Sequence, residues 1–124
     1  MKKFIFLALI ILSVNCNSQV NKCSYFKNGT FIYKNPNFSN FIVTRNGNVQ
    51  VEEDQIRHII IEGTVKWISE CEYILTYTKI DVPKLKKLIG QTVIVKINEI
   101  DNNKIKCLSK MNDISLELEM VKIK

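Results

Sequence analysis

The chemistry open to this 124-residue chain is bounded by its one histidine. Any Ser-His-Asp or Cys-His relay must run through His58. That residue sits at a loop-to-strand junction beside Arg57 and near Glu53 and Asp54, the setting of a surface histidine. Glu52 and Glu53 are sequence neighbours, so on a strand they point to opposite faces and form no carboxylate dyad. The cysteines stand at 16, 23, 71 and 107, with no C-x-x-C pair, and a lone histidine cannot complete a metal-ligand set with them. No G-x-S-x-G, H-E-x-x-H, Walker-type or G-x-G-x-x-G pattern occurs. These features imply a non-enzymatic protein with no metal and no cofactor.

The most specific constellation lies around Asn46-Gly47, a strong two-residue hairpin signal between alternating runs. With that turn, Arg45 faces Asn48, Val43 faces Gln50 and Phe41 faces Glu52. One face then carries Phe41, Val43, Arg45, Asn48, Gln50 and Glu52. The plainer reading is a solvated outer face with a weak cross-strand ion pair between Arg45 and Glu52. The sharper one turns this face into a barrel mouth. Arg45, Gln50 and Glu52 would then be polar groups of a ligand pocket, walled by Phe41 with Trp67 or Tyr73.

The elements that must position these residues are mostly strands. Runs near Thr30–Tyr33, Phe41–Arg45, Val49–Glu52, His58–Trp67, Cys71–Lys79, Val93–Asn98, Ile105–Met111 and Ile114–Met120 show two-residue periodicity. Gly63 marks a bulge or bend. Asp81 to Gly90 is predicted as the one short helix. Asp81 would cap it, Pro83 suits its first turn, and Val82, Leu85, Leu88 and Ile89 form its apolar face. The whole is a mainly β chain, an antiparallel meander of about eight strands forming a small lipocalin- or calycin-like barrel or a strongly curved sheet. An oligonucleotide-binding-type barrel is the alternative topology.

The N-terminus reads as an address. Lys2 and Lys3 precede a nine-residue apolar run, Phe4 to Leu12, followed at once by polar residues. A membrane-spanning helix needs about 20 apolar residues, so this is a signal-peptide core. Cleavage after Ser18 leaves a single domain over 19–124. Leu12-Ser13-Val14-Asn15-Cys16 also resembles a degraded lipobox, which would place a lipid on Cys16 and end the signal at 15. Losing Lys2 and Lys3 lowers the formal net charge from +6 to +4, and the remaining cations are scattered. The densest run, Lys84-Leu85-Lys86-Lys87, reads as a solvated face, so no nucleic-acid partner is implied. In an exported domain a Cys23–Cys71 disulfide is expected, closing a long loop. Cys107 alternates with Ile105 and reads as a buried small hydrophobe.

The segments Cys23…Phe26-Lys27-Asn28-Gly29-Thr30-Phe31, Arg45…Gln50-Val51-Glu52 and Trp67…Cys71-Glu72-Tyr73-Ile74-Leu75 together resemble a family of small exported proteins of Bacteroidota-type bacteria. The resemblance implies a compartment and a disulfide, not a mechanism. Similar sequences sometimes carry a DNA topoisomerase IV label, which this chain's length and lack of an ATPase motif contradict. The expected protein is exported to the periplasm, outer membrane or extracellular space. It would bind a small apolar or amphipathic ligand, or alternatively an envelope protein through a sheet edge or outer face. Any membrane contact would be through the lipid anchor.

Overall fold

The structure, a computed structural model, describes residues 22–124. The N-terminal segment read as a signal, and Cys16 with it, lies outside the described residues. Eight strands follow in chain order: β1 Gly29–Tyr33, β2 Phe41–Asn46, β3 Val49–Asp54, β4 Ile59–Ser69, β5 Glu72–Ile80, β6 Thr92–Asp101, β7 Lys104–Met111 and β8 Ile114–Lys122. Each pairs antiparallel with the next, and β8 returns to β1, so the meander closes into a barrel. Consecutive pairing around the whole ring excludes the oligonucleotide-binding alternative, a five-stranded Greek key.

Two-residue alternation explains the closure. Phe31, Val43, Val65, Tyr73, Leu75, Val95, Ile105 and Met120 point inward and are buried. Lys66, Lys96, Lys106, Lys110 and Glu117 point outward and are exposed. An apolar interior with a charged outer wall reverses the pattern of a membrane-spanning barrel. Among the described residues, no helix is long and apolar enough to cross a membrane.

An up-and-down meander sends its connections alternately to two ends. Residues 34–40, 55–58, 81–91 and 112–113 gather at one end. The opposite end has the tight turns after β2, β4 and β6, together with both ends of the described chain.

Three local features differ from, or sharpen, the sequence expectation. The β2–β3 turn is Gly47-Asn48, because Asn46 pairs with Val49 and Arg45 with Gln50. Gly47 takes φ 62, as the first turn position requires, and its N–H donates to Asn28 Oδ1 at 2.7 Å. Each cross-strand partner therefore moves by two residues. Faces repeat every two residues, so Phe41, Val43, Arg45, Gln50 and Glu52 still share one. Asn48 leaves that face for the turn, and Asp54 joins it opposite Phe41.

Gly63 does sit at a bulge, between the pairs Glu62–Lys79 and Gly63–Tyr77. A Cβ there would lie 2.7 Å from Leu75 Cδ1 and 2.8 Å from the Thr76 carbonyl oxygen. The predicted helix is a 3-10 segment, Pro83–Leu88, without a side-chain cap. Val82, Leu85 and Leu88, the half-buried positions, are spaced by three, the repeat of a 3-10 helix. Ile89, assigned to the same face, is 43% exposed. Asp81 does not cap; its carboxylate accepts the Ile60 N–H at 2.9 Å and ties the segment to β4.

Candidate functional site

The Phe41–Glu52 face looks into the barrel, and the solvated-face reading does not hold: Arg45 is 1% exposed and Gln50 2%. Arg45 is held on every side. Its Nε donates to Gln50 Oε1 at 2.9 Å, Nη1 to the Phe26 carbonyl at 2.7 Å and Nη2 to the Tyr73 hydroxyl at 3.0 Å. Its guanidinium carbon lies 4.8 Å from the ring centres of both Phe31 and Tyr73. The Arg45–Glu52 ion pair expected from the sequence is absent among the described residues, where the ion pairs are Arg57–Asp54 and Lys106–Glu99.

The carbonyl that Arg45 reaches belongs to a short 3-10 turn, Cys23–Phe26, lying across this end of the barrel with Cys23 and Phe26 buried. Cys23 is bonded to Cys71 in the β4–β5 turn, as the sequence predicted. Lys122 Nζ donates to the Tyr25 carbonyl at 2.6 Å and stands over its ring, and Lys27 Nζ lies 5.2 Å from the Trp67 ring centre. Segment 22–28 is therefore a plug, and Arg45 is its internal anchor.

Above the Arg45–Gln50–Tyr73 layer the barrel is not filled. A cavity of about 200 Å³ runs toward the other end. Leu75, Val93, Val95, Leu118 and Met120 form apolar walls, with Phe38, Phe41, Ile61 and Leu116 nearer the mouth. Tyr33, Gln50, Glu52, Tyr73, Tyr77 and Ser109 supply the polar atoms. The Tyr33 hydroxyl donates to Glu52 Oε1. Burial pushes the Glu52 carboxyl above its usual range, against the lowering pull of the Tyr33 hydrogen bond, Arg45 and Gln50. Burial likewise pushes the Tyr73 and Tyr77 phenols up to about 12.

Of the six candidate pocket residues, Phe41, Gln50, Glu52 and Tyr73 line this cavity. Arg45 and Trp67 do not; they belong to the plugged end, where Trp67 packs 4.7 Å from Tyr73 between ring centres. Tyr33, Leu116, Leu118 and Met120 were not anticipated. Tyr33 could have been found, because it shares the inward face of β1 with Phe31. The β8 residues reach the site only through closure of the ring, which no local pattern announces.

The other chemistry-bearing residues are structural. His58 is an exposed turn residue with φ 56, and its N–H donates to the Asp54 carbonyl at 2.9 Å. Asp54 Oδ1 accepts the N–H groups of Ile56 and Arg57, and Oδ2 accepts from Arg57 Nε. These bonds hold the Asp54 carboxyl below its usual range. Cys107 is a buried free thiol, pushed up to about 12 by burial. Among the described residues no cluster of three or more His, Cys, Asp or Glu side chains could hold a metal ion.

No family model matches the chain, and the searches of curated proteins and of solved structures returned no match either.

Proposed function

We propose that this protein is an exported cell-envelope binder of a small amphipathic molecule, held in the open-ended barrel cavity. The observation that carries the reading is a cavity with apolar walls and a polar floor, closed at one end by a pinned plug and open at the other. Ligand sites combine these features, a mostly apolar lining and a few placed polar groups. At about 200 Å³ it is below the roughly 300–1,000 Å³ typical of drug-sized sites, so the ligand is small. Export is supported by the signal-like N-terminus, the disulfide and the resemblance to small exported proteins.

Native mass spectrometry of protein purified from its own host should reveal a bound small molecule, and with it the lipidation state of Cys16. In a thermal-shift screen, Leu118→Phe should fill the cavity and lose the ligand-induced shift while the apo protein melts normally. An undiminished shift in that variant would place the ligand elsewhere.

A second reading, contact with an envelope protein, draws on the open rim, where Ile56 in its turn and Ile114 at the start of β8 are 68% and 69% exposed. Ring closure leaves no free sheet edge among the described residues, so such a contact would use the rim or the outer wall.

A further inference from the structure

Glu52 is the unusual group in this cavity. It projects from the middle of β3 into an apolar space, and its remaining exposure is to that space. It forms no ion pair among the described residues. The Tyr33 hydroxyl donates to one of its oxygens, and the neighbouring Gln50 amide adds a weaker favourable contact. An ionised carboxylate offers about four acceptor positions, and a buried one without partners is costly. The acceptor capacity left over faces the place where a ligand would lie.

Resting on the ligand-binding reading above, we infer that the cavity takes a small neutral amphiphile with a hydroxyl head, and that Glu52 is the hydrogen-bond acceptor for that head. Charge selects against the alternatives. Arg45 lies in the layer beneath, buried and with no carboxylate bonded to it. An ammonium head would pair with Glu52 but leave the interior with a net positive charge. A carboxylate head would meet the like charge of Glu52, and the Arg45 guanidinium is engaged with Gln50, Phe26 and Tyr73 below the cavity floor. A hydroxyl adds a donor and no charge. Its apolar tail would run past Leu118 toward Leu116 at the mouth.

The test titrates 1-hexanol, hexylammonium and hexanoate into the full domain at neutral pH, following the Leu118 and Met120 methyl signals by NMR. Wild-type protein should bind 1-hexanol at least about tenfold more tightly than either charged probe, because either probe's charge would be left uncompensated in the desolvated interior. Glu52→Gln removes the charge and adds a donor, so it should weaken 1-hexanol and strengthen hexanoate. Tyr33→Phe frees a Glu52 oxygen and should keep the hydroxyl preference, which gives a second check if Glu52→Gln folds poorly. Equal binding of all three probes, or tighter binding of a charged one by wild type, overturns the inference and leaves the ligand-binding reading standing. Methyl signals unmoved by every probe would overturn both.

Discussion

The two ends of this barrel use similar residues to opposite purposes. At the plugged end a charged side chain, Arg45, is 1% exposed and is bonded to three partners on three different segments. At the open end a charged side chain, Glu52, is held only by the Tyr33 hydroxyl and a weaker Gln50 contact, and it lines the cavity. Both lie on the inner face of the same hairpin, and Glu52 is directly opposite Val43, two residues from Arg45. Burial alone therefore does not distinguish a structural charge from a recognition group. What distinguishes them is whether the surrounding chain has used up the hydrogen-bonding capacity.

Arg45→Ala should give the largest effect. It removes the three donors that satisfy Gln50, Tyr73 and the Phe26 carbonyl, and it leaves a void beneath the plug. A loss of roughly 3–5 kcal/mol in urea unfolding is expected. Arg45→Met keeps most of the volume and should lose less; equal losses would mean that volume, not anchoring, is what Arg45 provides. Cys71→Ala comes next. The bond it removes spans 48 residues and pins the plug to the β4–β5 turn. The expected cost is about 2–4 kcal/mol, with hydrogen exchange rising first in residues 22–28. Protection retained in that segment would show that Arg45 and Phe26 hold the plug unaided.

This contrast also shows what the sequence could and could not reveal. That Phe41, Arg45, Gln50 and Glu52 share one face was legible although the turn was misplaced by one residue, because the resulting two-residue change of partners preserves strand faces; that the face turns inward was not, the plainer reading having placed it in solvent. The disulfide followed from the placement of Cys23 and Cys71 in a domain expected, from its sequence, to be exported. The role of Arg45 was not legible, since its deciding partner is a backbone carbonyl 19 residues earlier in a segment with no strand or helix pattern. The 3-10 segment was mistaken for a longer helix because Pro83, Gly90 and the lysines suit both, and only the spacing of Val82, Leu85 and Leu88 tells them apart. The cavity wall from β8 depended on β1 meeting β8, a pairing of Phe31 with Lys122 across nearly the whole domain.

The open end should tolerate change far better. Leu118 is half-buried and already borders a void. Leu118→Ala should cost about 1 kcal/mol, below the roughly 2–5 kcal/mol of a packed core leucine. A loss as large as that of a packed leucine would mean that the cavity walls are as tightly braced as the plug.

The smallest and most diagnostic effect should come from Glu52→Gln, and its sign should depend on pH. Burial raises the folded-state pKa of Glu52 above the usual value of 4.5. The folded chain therefore holds this proton more tightly than the unfolded one. The contribution to stability is full below pH 4.5 and is lost as pH rises through the folded pKa. Glu52→Gln still offers an oxygen to the Tyr33 hydroxyl but cannot ionise, so its melting temperature should exceed wild type at pH 7 and approach it near pH 4. Asp54, two residues along the same strand, provides the internal control. Its folded pKa lies below the usual 3.8, so its contribution is present above that value and is lost as pH falls through the folded pKa. Asp54→Asn should therefore destabilise at pH 7, where Glu52→Gln stabilises. If both substitutions destabilised at pH 7, Glu52 would be a second Asp54, a carboxylate whose hydrogen bonding is already satisfied by the protein, and the open end would have lost its claim to be different from the plugged one.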